Sequence, residues 1–209
     1  MRARVGPKPS GTELKNIWFK MSLQKTIEVI TKLAEQGAMK QYAITDAVAA
    51  LNYIQPTLTE DLDILVSVVV DFGEHKGLIP LTPIERALAK MGYTERSGVG
   101  IRIENWPVQF LPVASSLDEE ALVNAVEVDY KGTGGAFKAR VLRPEYLVAT
   151  ALKVGRLKDL ARIDAFLDEK AVDLTALKVV LKRFDLMSAW DAYCAKAGKL
   201  DLLGLRSYQ

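Results

Sequence analysis

The stretch Leu62-Asp63-Ile64-Leu65-Val66-Ser67-Val68-Val69-Val70 leaves this chain little freedom. It is almost continuously apolar and mostly β-branched, so it has no polar face to turn to water. That pattern predicts a strand in the middle of a sheet, covered on both faces. A strand so placed needs neighbouring strands on both edges and helices above and below.

The rest of the chain supplies both. Ser22 reads as the N-cap of a helix that carries Leu23, Ile27, Ile30 and Leu33 on one face and closes at Gly37. Tyr42-Ala43-Ile44 reads as a short strand, and Asp46 to Ile54 as a buried, alanine-rich helix ended by Pro56. Pro83 opens a helix through Ile84, Leu88 and Met91 to Gly92. Gly100 to Glu104 and Val108 to Leu111 read as strands joined by Asn105-Trp106-Pro107. A short helix, Leu117 to Val123, is capped by Ser116. Glu127 to Tyr130 and Phe137 to Leu142 flank a glycine-rich hairpin turn. From Pro144 onward only helices are expected, with breaks near Gly155, Lys170, Asp185 and Gly198.

The expected fold class is therefore α/β (α+β), a mixed β-sheet flanked by helices and followed by a C-terminal helical region. The expected division is 1–20 as a flexible or vector-derived extension, 21–142 as the α/β domain, and 143–209 as the helical domain. These segments carry net charges of +4, −5 and +3. An acidic middle can hold cations and a basic tail can meet phosphate.

Composition removes several classes of function. The net charge of +2 excludes a strongly basic nucleic-acid coat. A single cysteine, Cys194, excludes an intrachain disulfide framework and a zinc ribbon. A single histidine, His75, excludes a polyhistidine metal cage. No apolar run reaches the ~18 residues that a membrane span needs. The expectation is a soluble, cytoplasmic protein without a membrane partner.

One constellation carries chemistry. Asp61 and Asp63 stand two residues apart where the apolar strand begins, so they share one face of it. Two carboxylates at a water-reachable mouth can hold a hard divalent cation, Mg²⁺ or Mn²⁺, together with phosphate oxygens. The competing account is a solvated strand entrance.

The surroundings of this pair resemble the nucleotidyltransferase superfamily, in particular its AbiEii-like, toxin-type branch. Tyr42 to Leu51 resembles that family's strand, small-residue turn and helix. Leu58-Thr59-Glu60-Asp61-Leu62-Asp63 resembles its metal motif, and Pro107 to Pro112 its next active-site strand. Arg143 to Ala149 and Gly155-Arg156-Leu157-Lys158-Asp159 resemble its first helices after the sheet. The resemblance implies divalent-metal-dependent transfer of a nucleotidyl group from a nucleoside triphosphate to an RNA or protein hydroxyl. A role as the toxin of a toxin–antitoxin pair, with an antitoxin partner, is implied as well. It implies Asp61 and Asp63 as catalytic metal ligands and Gln109 at the position of the third ligand. Thr45, Asp46, Arg156, Lys158 and Asp159 are implied to bind the nucleotide.

The chain also departs from that pattern. Thr45 and Asp46 stand where the turn wants two small residues, and Gln109 where a third carboxylate is usual, with Glu104 the nearest acidic substitute. Ala151 stands where a lysine is common, with Lys153 displaced by two. Arg162 stands where an acid commonly follows. The alternative is a catalytically degenerate relative that binds nucleotide or a partner protein. Gly132 to Gly135, Ser97 to Gly100, His75, Cys194 and the tryptophans read more simply as turns, loop and packing residues.

Overall fold

The run at Leu62 forms the second strand, β2 (Leu62–Ser67), and it lies in the interior of a seven-stranded sheet. In this computed structural model, residues 11–55, 59, 61–68, 81–132, 135–199 and 203 are described. Val69 and Val70 of the expected strand, Pro56, His75, Glu60 and the Thr133-Gly134 turn lie outside them. The remaining strands are β1 (Gln41–Ile44), β3 (Arg96–Ser97), β4 (Gly100–Ile103), β5 (Trp106–Pro112), β6 (Val126–Gly132) and β7 (Gly135–Val141). Their order is β3-β4-β5-β2-β1-β7-β6. β2 runs parallel to β5 and antiparallel to β1, and β1 runs parallel to β7, so the sheet is mixed. Leu62, Ile64, Leu65 and Val66 are buried, as a strand covered on both faces requires.

The helices are α1 (Gly11–Glu35), α2 (Asp46–Ala50), α3 (Thr82–Lys90), α4 (Ser116–Val123), α5 (Pro144–Val154), α6 (Leu157–Asp168), α7 (Leu174–Arg183) and α8 (Met187–Ala197). The mixed α/β class is as expected. Several boundaries differ, each for a local reason. α1 already begins at Gly11, so Ser22 lies inside the helix instead of capping it. The Ser22 hydroxyl donates instead to the carbonyl of Glu104, and the buried Thr26 hydroxyl donates to the carbonyls of Ser22 and Ile103 at 2.9 and 3.0 Å. The bonds to Glu104 and Ile103 fasten α1 to the β4–β5 hairpin. Leu23, Ile27, Ile30 and Leu33 are all buried, each contributing about 2 kcal/mol of hydrophobic stabilisation.

Trp106 belongs to β5, and the hairpin turn is Glu104-Asn105 alone, with φ of +49° and +73°. Two consecutive left-handed residues match the twist of the flanking strands, and Asn tolerates that backbone well. The cap of α4 is Ser115, whose hydroxyl accepts from the Asp118 amide at 3.4 Å. The short edge strand β3 was not expected. It forms because Gly98 turns the chain at φ +59° and Gly100 lets β5 approach: a Cβ there would stand 2.5 Å from the Val108 carbonyl oxygen.

All four expected breaks in the helical tail are left-handed residues: Gly155, Lys170, Asp185 and Gly198. They fold α5 to α8 so that α5 packs against α6, α7 and α8 while also touching α2 and α4. Phe166, Leu177, Leu181 and Trp190 are buried in this tail, and one continuous apolar core joins them to the sheet. No helix among the described residues is long and apolar enough to cross a membrane.

Candidate functional site

The cleft between the sheet and α5–α6 begins with strand register. Asp63 on β2 stands opposite Gln109 on the parallel strand β5, so both side chains leave the sheet on one face. The Thr45 amide, just beyond β1, donates to the Asp63 carbonyl at 2.9 Å. That bond brings the start of α2 beside the carboxylate. Arg156 caps α6, and Asp159 sits three residues on. The Arg156 amide donates to the Asp159 carboxylate at 3.3 Å, and the guanidinium donates through Nε and Nη2 at 2.7 and 3.1 Å.

These elements enclose a cavity of about 250 Å³. Thr45, Asp46, Asp63, Gln109, Arg156, Asp159 and Arg162 line its polar side, and Leu111, Leu147, Ala151 and Val154 its apolar side. Of the residues implied by sequence, the structure therefore brings together Thr45, Asp46, Asp63, Gln109, Arg156 and Asp159. Asp61 and Lys158 are exposed and do not line the cavity, although the charges of both act on Asp63. The Thr59 hydroxyl donates to the Asp61 carboxylate at 3.1 Å.

Asp63 is the unusual group. Its Oδ1 is buried and has no hydrogen-bond partner among the described residues. Burial, and then the charge of Asp61, push its carboxyl up to about 6, while Lys158 and Arg156 pull it back. A buried carboxylate with an unsatisfied oxygen is costly unless something positive arrives.

Asp46 behaves otherwise. Its carboxylate pairs with the Arg162 guanidinium and lies 3.7 Å from that of Arg156. Arg162 also stands 3.8 Å from Asp159. Sequence reasoning marked Arg162 only as a departure and did not place it in the site. The available signal was spacing: 156, 159 and 162 recur every three residues and share one side of α6.

Two expected substitutes are elsewhere. Glu104 sits in the β4–β5 turn and accepts from the Tyr93 hydroxyl at 2.6 Å, so it is not the missing third carboxylate. Lys153 donates to the Ser115 hydroxyl at 2.9 Å, away from the cavity. Cys194, Trp106 and Trp190 are buried, as packing residues are.

Among the described residues no group of three or more His, Cys, Asp or Glu side chains is gathered to hold a metal. Asp63 and the Gln109 amide oxygen face the cavity as oxygen donors of the kind a hard divalent cation accepts, and Asp61 lies exposed outside it. They do not suit a two-ion centre, which needs further anionic donors to bridge its ions.

No family model and no curated protein matches this sequence. Among solved structures, the chain is similar to an antigenic nucleotidyltransferase-like protein from Paracoccidioides brasiliensis. The identity is 16%, 83% of this chain and 93% of that one are covered, and the TM-score is 0.47. It is also similar to the antibiotic-resistance factor ANT(2'')-Ia, at 14% identity over 85% and 99% of the two chains, with a TM-score of 0.44. Likeness under 0.5 leaves the function to be decided by the site's own residues.

Proposed function

We propose that the cleft binds a nucleoside triphosphate with one divalent cation and transfers its nucleotidyl group to a hydroxyl of RNA or protein: the hydroxyl oxygen bonds to the α-phosphorus, the α–β anhydride bond breaks, pyrophosphate leaves and the hydroxyl proton passes to solvent. The observation that carries this reading is Asp63: half-buried, facing a cavity, with its buried Oδ1 unpartnered among the described residues and the charge of Asp61 acting on it. Asp61 and Asp63 would hold Mg²⁺ or Mn²⁺, with Gln109 as a neutral third donor. The cation, when bound, would offset negative charge on the phosphates. The chain's own residues do the rest. Arg156 and Lys158 offer positive charge at the mouth. Leu111, Leu147 and Ala151 form an apolar wall that excludes water. A toxin role, with an antitoxin as protein partner, is consistent with a transferase that modifies RNA or protein.

A second reading is a binding-only protein of similar architecture that holds nucleotide or a partner protein. Gln109 favours it, because an amide at that register position neither balances metal charge nor accepts a proton from the attacking hydroxyl.

Thermal shift with each nucleoside triphosphate, with and without Mg²⁺ or Mn²⁺, tests the site. Labelled nucleotide incubated with total RNA and with protein then tests transfer. Metal-dependent stabilisation together with label in a macromolecule supports transfer. Stabilisation without label leaves the binding-only reading, and no stabilisation by any triphosphate overturns nucleotide binding altogether.

A further inference from the structure

Four charges meet on the polar wall of the cavity: Asp46, Arg162, Asp159 and Arg156. They are not equivalent. The side chains of Asp159 and Arg162 are only 2% and 9% exposed, so they are framework. That of Arg156 is 53% exposed and that of Asp46 18%. Asp46 also holds φ at +52°, a left-handed backbone that costs a non-glycine residue energy. Something must hold it there, and the two guanidiniums that converge on its carboxylate do so. Two guanidiniums converging on one set of anionic oxygens is also how proteins hold phosphate.

We propose that Arg156 and Arg162 form a subsite for the polyphosphate chain of the ligand, and that the Asp46 carboxylate is its internal occupant in the free protein. The inference rests on the nucleotide-site reading and adds a specificity device to it. The four charges cancel, so the arginines have no net pull on an anion from solvent. A ligand gains them only by outcompeting one carboxylate. A singly charged anion brings too little charge for that exchange, whereas a polyphosphate brings several oxygens to the same two cations. Arg156, being exposed, swings to the ligand, while Arg162 stays in place on α6 beside Asp159 and exchanges the Asp46 carboxylate for phosphate oxygens.

The test is Asp46→Asn, which keeps the side-chain size and suits a left-handed backbone while removing the charge. Calorimetric titration uses inorganic tripolyphosphate, without divalent cation and at low salt. The variant should bind about tenfold more tightly than the wild type. Adding Arg156→Gln to it should return the affinity to about the wild-type value. Unchanged or weaker binding by Asp46→Asn overturns the inference. Should that variant not fold, Asp46→Gly removes the same charge and suits the left-handed backbone still better. A gain of about tenfold is expected there too, and no gain overturns the inference. Titration of the wild type with ATP and Mg²⁺ separates the two levels. Binding of that pair without any gain in Asp46→Asn sinks the subsite alone. A gain for tripolyphosphate without nucleotide binding under any condition sinks the nucleotide reading and leaves the subsite standing.

Discussion

The two ends of the cleft treat negative charge in opposite ways. At the sheet end, Asp63 has a buried oxygen without a partner among the described residues, the charge of Asp61 acting on it and a neutral amide at the facing register position. At the α6 end, Asp46 and Asp159 are matched by Arg162 and Arg156. One end leaves a buried oxygen without a donor among the described residues, and the other pairs every carboxylate. What distinguishes Asp63 from Asp159, which is buried more deeply, is an oxygen without a donor among the described residues.

The largest expected difference between the ends comes from Arg162→Ala. It leaves two buried carboxylates with one partly exposed arginine, and should cost about 3 kcal/mol, or about 6–12 °C in melting temperature. A loss below about 1 kcal/mol in chemical denaturation would show that water already screens this network as it screens a surface pair. Gln109→Glu probes the other end. A third carboxylate there should tighten Mn²⁺ binding about tenfold by calorimetry, and unchanged affinity would remove Gln109 from the cation site.

Asp63→Asn comes next. The Asp63 carboxyl is raised from its ordinary 3.8 to about 6, so between those values the folded protein holds a proton that the unfolded chain has released. Its stabilising contribution is complete below about pH 4 and is lost as pH rises through about 6. Without metal near neutral pH, the Asn variant should therefore be more stable than the wild type by about 1 kcal/mol. Urea unfolding at pH values on either side of that window should show a fall in the wild type that the variant lacks. A wild type with no fall would mean that Asp63 is solvated. The smallest effect belongs to Lys158→Ala. Stability should change by less than about 0.5 kcal/mol. The Asp63 carboxyl should move further up, because Lys158 pulls it down, and an NMR titration would read that shift.

Much of the fold was legible in the chain. The β2 run, the α1 stripe and the four breaks of the helical tail all appear where periodicity and turn chemistry put them. These signals are local: a strand's face or a left-handed stop is decided within a few residues. The errors were local too. Ser22 looks like a cap, but its hydroxyl is used across the molecule by Glu104, and helix continues before it. Ser115 and Ser116 are both acceptable caps, and only packing chooses between them.

The sequence by itself determined the order of the elements and the place of Asp63 at the start of β2, because these follow from backbone geometry repeated at short range. It also put Gln109 in a strand, and the structure pairs that strand with β2. Only the tertiary structure decided which charges meet. Asp46 and Arg162 are separated by 116 positions, and nothing in either neighbourhood specifies the other. Their pairing exists because α5 and Gly155 bring the start of α6 back over the end of β1. The same closure leaves Asp63 Oδ1 without a donor among the described residues, which no local pattern in the chain specifies.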